Sequence, residues 1–191
     1  MMTRTANVNV WKTFFLIAAL GSAGFSLQGQ EAKLGKVKAG VFVFEYGKPW
    51  VEKPGKSPMR AGELTYQFDK NQKLEDVDAV FYYFGEGQGG DTEANIQRWI
   101  GQFQGSPKTE TEVVEISGTK VSFLTATGTY LESAGPFATE KTAKPGYVLL
   151  GAVLESDQGN VFVKLVGPEK SVEQVEKSFR TLVRSALKGE S

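Results

Sequence analysis

Apolar and polar positions alternate along much of this chain with the two-residue period of half-buried strands. From Met59 to Phe68, Leu64, Tyr66 and Phe68 alternate with Glu63, Thr65 and Gln67, which predicts a strand with one buried face and one wet face. Val41 to Phe44 is a short apolar run, and Ala79 to Phe84 is apolar on both faces, as in the middle of a covered sheet. Between those runs, Pro49, Pro54, Gly55 and Pro58 make 47–58 a loop that cannot be helix or central strand. The charged stretch Glu31 to Lys38 reads as a mobile lead-in, and Asn71 to Asp78 as a polar turn region.

Farther along, Thr111 to Ile116 and Lys120 to Tyr130 flank Ser117-Gly118 and predict a hairpin. Tyr147 to Glu155 and Val161 to Val166 predict a second, turning at Asp157-Gln158-Gly159-Asn160. Leu131 to Gly146 reads as a long loop of functional or Ω type, with Gly135-Pro136 and Pro145-Gly146 inside it.

Two segments switch to the helical period. Ile96, Trp99, Ile100 and Phe103 share one helical face, with Asp91 or Thr92 placed to cap the start, Glu93 in the first turn, and Gly105-Ser106-Pro107 as the stop. Ser171-Val172-Glu173-Gln174 has the form of a capping box, opening a helix to about Leu187 whose inward stripe is Val172, Val175, Phe179, Leu182, Val183 and Ala186. The order is three strands, helix, four strands, helix. Short turns between consecutive strands predict the α+β class: a mainly antiparallel sheet of about six to seven strands flanked by two helices, in a single domain over 31–191.

Residues 1–30 read differently. Arg4 and Lys12 precede the apolar run Phe14 to Leu20, small residues follow, and no acid appears before Glu31. This is the pattern of a secretory signal peptide, too weakly apolar in its second half for a span of ~20 residues, so cleavage is expected and no stable membrane span after it. The expected location is periplasmic or secreted, in a bacterium.

Composition then narrows the chemistry. The 191 residues include no histidine and no cysteine. Those absences remove His-based nucleophile triads, thiol chemistry, disulfides and Cys or His metal sites. Lys and Arg number 22, as do Asp and Glu, so no basic excess argues for nucleic acid. Without residues 1–30 the balance is 20 minus 22, or −2, because only Arg4 and Lys12 are lost.

The element order, with a final helix written Phe179-Arg180-Thr181-Leu182-Val183-Arg184-Ser185, resembles the PsbP-like fold group, named for an extrinsic photosystem II subunit. Phe81-Tyr82-Tyr83-Phe84-Gly85-x-Gly87-Gln88-Gly89-Gly90, with Asn95-x-x-Arg98-Trp99-x-x-Gln102-Phe103, is similar to a family of uncharacterised bacterial exported proteins. Trp50, Ser57-x-Met59-Arg60, Tyr147-x-Leu149-Leu150-Gly151-Ala152 and Lys164-Leu165-x-Gly167-Pro168 extend that resemblance over most of the chain after residue 30. It implies an antiparallel sheet flanked by helices and, since the wider group includes accessory and binding subunits, a binding role. No activity and no photosystem-specific site come with it.

Gly85, Gly87 and Gly90 satisfy G-x-G-x-x-G between a strand and a helix. Glu86, Asp91 and Glu93 would meet a pyrophosphate with negative charge, and the neighbouring strands read as hairpins, so a tight turn needing positive φ is preferred to a dinucleotide site. The same acids lack the ligand rhythm of a calcium loop. Ser117-x-x-Lys120 and Ser185-x-x-Lys188 have the spacing of a Ser-Lys pair, but one spans a hairpin turn and the other ends a helix. No catalytic residue, metal or cofactor is therefore assigned. The candidate ligand-binding residues are Arg60, Glu86, Gly89, Gly90, Asp91, Asn95, Arg98 and Trp99, in a groove beside Trp50 and joined by the 131–146 loop. In the structural alternative Asn95 bonds the glycine loop, Arg98 pairs with Glu93 or another acid, and Trp50 and Trp99 are packing residues. The expected function is a noncatalytic exported binding or accessory domain with an unknown protein or small-molecule partner in the cell envelope. A carboxylate-dependent hydrolase such as a glycosidase and a structural envelope component stand as the alternatives.

Overall fold

In the computed structural model, residues 34–54, 60–133, 135 and 140–187 are described. The expected signal peptide and the Ser57 to Met59 stretch lie outside them. Nine strands and two helices follow one another as β1 (Gly35–Ala39), β2 (Phe42–Tyr46), β3 (Trp50–Glu52), β4 (Gly62–Tyr66), β5 (Val77–Tyr83), α1 (Thr92–Ile100), β6 (Lys108–Ile116), β7 (Thr119–Ser133), β8 (Lys141–Leu154), β9 (Val161–Pro168) and α2 (Glu169–Ser185). β1 and β2 form a separate hairpin, and the other seven strands form one sheet in the order β3-β4-β5-β9-β8-β7-β6, antiparallel throughout. The fold is α+β.

Each face of the large sheet carries its own core. On one face, Leu64, Phe81, Phe123, Leu150, Val163 and Leu165 meet Phe44 of the hairpin and Val172, Val175, Phe179 and Leu182 of α2. Trp50 belongs to this side, where its indole Nε1–H donates to Ser178 Oγ at 2.9 Å. On the other face, Ile96, Trp99 and Phe103 cover Leu124, Ala126, Leu149, Val153 and Phe162. Burying large side chains such as these stabilises by roughly 1.5–3 kcal/mol apiece, which is why both helices follow their apolar stripes onto the sheet.

Several expectations need correction. The lead-in is strand from Gly35, because Val37 and Ala39 are buried while Lys36 and Lys38 face outward. The 131–146 segment is mostly hairpin arm: β7 runs to Ser133 and β8 starts at Lys141, with Leu131 paired to Ala143. Its strands project with exposed polar side chains, so no apolar alternation marked them. α2 starts at Glu169, two residues before the expected Ser171, so Pro168 stands at the N-cap, with no side-chain cap, and Ser171 lies buried inside the first turn. Glu63 sits on the face of β4 expected to be wet, yet it is only 5% exposed.

Candidate functional site

Helix α1 sets the geometry. The chain leaves β5 through Gly85, Gly87, Gly89 and Gly90, whose φ values of 99°, 66°, 87° and 78° all lie in the left-handed region that favours glycine. Asp91 then caps α1, accepting from the Ala94 N–H at 2.7 Å. Asn95, one turn in and buried, donates from Nδ2 to the Gly89 and Asp91 carbonyls at 2.8 Å each. Its remaining atom, Oδ1, accepts from Arg98 Nη2. One amide thus ties the glycine loop to the guanidinium and aims the latter.

The helix covers only part of its face. It packs on β7 and β8, and the Trp99 ring stands against Gly151, where a Cβ would come within 2.4 Å. The register carries the row beneath it from Gly151 to Lys164, then Val80, then Glu63. This β9-β5-β4 half of the face carries the polar groups.

At its inner edge the Lys164 ammonium donates to Gln102 Oε1 at 2.5 Å and to the Tyr130 hydroxyl at 3.1 Å. The Tyr130 hydroxyl also donates to Gln102 Oε1, at 3.2 Å, and the ammonium lies 5.2 Å from the Tyr130 ring centroid. Among the described residues no carboxylate forms an ion pair with Lys164 or with Arg98. Desolvation, reinforced by the positive charge of Arg98, lowers the Lys164 pKa to about 8. Burial likewise raises the Tyr130 and Tyr82 phenols above their ordinary range, the positive charge of Arg60 opposing the shift at Tyr82.

At the outer edge the charges are compensated. Glu63 receives Arg60 and Lys53, the latter at 2.9 Å, and Lys53 reaches on to Asp78 Oδ2 at 2.7 Å. Thr65 donates to the other Asp78 oxygen at 2.6 Å. The Asp78 carboxyl is held below its usual pKa by these bonds, although burial by itself would raise it. Lys53, Arg60, Arg98 and Lys164 face two carboxylates here, so the half-face has an excess of two positive charges in a chain whose overall charge is zero.

The sequence candidates are divided by α1. Arg98 stands on the Lys164 side, and the charge of Arg60 is felt at Tyr82 on the same face. Asp91 instead lines a groove of ≈ 640 Å³ on the opposite flank of the helix, together with Ile100, Thr111, Val113, Lys120 and Glu155. Gly89 and Asn95 are bonded to each other beneath the loop, while Gly90 and Glu86 are exposed. Trp99 is buried on Gly151 and Phe162. Trp50 lies on the other side of the sheet, so the groove expected beside it does not form. Arg98 bonds Asn95, whereas Glu93 bonds Gln97.

Lys164, Tyr130, Gln102 and Tyr82 carry the strongest local chemistry and were missed in the sequence. One signal was available: a lone lysine in the apolar run Val161-Phe162-Val163-Lys164-Leu165-Val166, a strand flanked by neighbours on both edges. Among the described residues no group of three or more acidic side chains could hold a metal ion, and no helix is long and apolar enough to cross a membrane.

No family model and no curated protein matches the sequence. Among solved structures the chain is similar to the cyanobacterial PsbP protein CyanoP of Synechocystis sp. PCC 6803, at 16% identity and a TM-score of 0.48 over 88% of this chain and 98% of that one. It is also similar to PA94, a protein of unknown function from Pseudomonas aeruginosa, at 10% identity and a TM-score of 0.46 over 83% of this chain and 99% of that one.

Proposed function

We propose that this chain is an exported, noncatalytic binding domain whose recognition surface is the sheet face beside α1, and that it takes an anionic group against Lys164 and Arg98. The observation that carries the reading is the lack of any acidic partner for these two cations among the described residues, next to a cluster where each acid is paired. Lys164 is partly buried and Arg98 exposed; a partly desolvated ammonium without a counter-ion is costly, and a ligand carboxylate or phosphate would supply one within reach of both cations. The aromatic groups Tyr82 and Phe84, stacked at 6.2 Å, give the same face an apolar margin. Export rests on the pattern of residues 1–30. Glu86, Asp91 and Glu93 of the loop and first helical turn are exposed, and the buried Glu63 and its neighbour Asp78 are both neutralised by cations.

The test is a melting-temperature series with acetate, benzoate and phosphate, on the native chain and on Arg98→Ala and Lys164→Met. Stabilisation by one of these anions that disappears in both variants supports the assignment. Equal stabilisation of all three proteins would place anion binding elsewhere.

A further inference from the structure

Lys164 differs from the other lysines in its setting. Lys36, Lys53, Lys108, Lys120 and Lys144 are each ion-paired with a carboxylate, and the remaining described lysines are exposed to solvent. The Lys164 nitrogen is instead held from two directions by neutral groups, Gln102 Oε1 and the Tyr130 hydroxyl. Its strand is fixed by pairing on both sides, with Val80 on β5 and Gly151 on β8 as register neighbours. The result is an amine at a defined position, with a second cation, Arg98, close enough to act on it electrostatically.

We propose that Lys164 captures a small oxo-carboxylate as a reversible imine, with Arg98 holding the carboxylate; this rests on the anion-binding reading and names its ligand class. A carbonyl compound uses the amine lone pair, and the carboxylate supplies the missing counter-charge. The Lys164 ammonium first releases one proton. Its lone pair forms the C–N bond while the carbonyl π pair moves to oxygen; the nitrogen, now cationic, gives up a further proton as the oxygen takes one up, which leaves a neutral carbinolamine with its nitrogen lone pair restored. That hydroxyl leaves as water with a second proton, and the nitrogen lone pair closes the iminium. Ammonium and carbonyl thus become iminium and water, with no net proton change and no oxidant. The Tyr130 hydroxyl, 3.1 Å from the nitrogen, is placed to pass the protons. The lowered pKa of Lys164 enlarges the neutral fraction available for attack at neutral pH.

The experiment incubates the full chain with pyruvate and sodium cyanoborohydride at neutral pH and maps the reduced adducts by peptide mass spectrometry. Acetone, which lacks the carboxylate, is the parallel probe, and melting temperature with pyruvate alone is read beside the map. Lys164 should take the pyruvate label at least about ten-fold faster than exposed Lys70, with the preference reduced for acetone and in Arg98→Ala. A pyruvate-dependent stabilisation without label at Lys164 overturns the imine and leaves the anion site standing. Label scattered over exposed lysines with no stabilisation overturns both.

Discussion

The Trp99 indole lies so close over Gly151 that a Cβ on residue 151 would reach 2.4 Å from the ring. This contact fixes α1 against β8, and α1 carries Arg98 and Asn95. Gly151→Ala should therefore destabilise the protein by about 1–3 kcal/mol through overpacking, read as a lower urea midpoint. It should also weaken anion binding, because the helix must shift to clear the methyl group. An unchanged midpoint would show that Trp99 moves aside freely.

Asn95→Ala removes both donors to the glycine loop and the acceptor for Arg98. The expected loss is about 1–3 kcal/mol, since two carbonyls lose a buried partner. Asn95→Asp should be no better, because a carboxylate cannot donate to the Gly89 and Asp91 carbonyls. Hydrogen exchange at the amides of 85–90 should accelerate in both variants, and protection equal to the native chain would contradict the bridging role.

Lys164 sets a pH dependence whose sign is fixed. Its pKa is about 8 in the folded chain and 10.5 when unperturbed, so between those values the unfolded state binds more protons. The charged amine is a penalty on folding that is fully present below pH 8 and is relieved as pH rises toward 10.5. The groups facing it are Arg98 from α1, Gln102 after α1, and Tyr130 of β7, with Tyr82 of β5 and the Glu132 carboxylate of β7 acting on Tyr130. The tyrosines have raised pKa values and titrate later. Lys164→Met should abolish a rise of the order of 3 kcal/mol over this window, measured as the difference between native and variant denaturation curves. Parallel curves would refute the assignment.

Glu63 is buried between Arg60 and Lys53, and one cation can still neutralise it when the other is lost. Arg60→Ala should therefore cost only about 1 kcal/mol. Removing Lys53 as well should cost more than the two single losses together, with a coupling of about 0.5–3 kcal/mol. A double-mutant cycle that closes to zero would show that Glu63 needs neither.

Much of the architecture was legible because apolar side chains had to be hidden. The alternation of Leu64 and Tyr66, the doubly apolar run through Phe81, and the stripe from Val172 to Val183 each mark a buried surface. β1 escaped notice because its two inward residues sit among lysines, and the arms of β7 and β8 because their outer pairs bury nothing. The glycine loop announced its left-handed backbone and its Asp91 cap. The site did not declare itself in the same way. Lys164, Gln102 and Tyr130 are separated by up to 62 residues in sequence, and only the strand order brings them together. In a linear reading each is an ordinary polar residue.

The pairing of β5 with β9 joins Asp78 to Val166 and Tyr83 to Val161, across an intervening helix and three strands. Closing a loop of that length costs more chain entropy than closing the local hairpins, so the seam is expected to form after them. Tyr82 lies on one side of the seam and Lys164 on the other. A chain stopped before β9 has neither the amine nor the face that surrounds it. A ligand at the proposed site would therefore bind only molecules that have completed the sheet, and its binding energy would add to global stability.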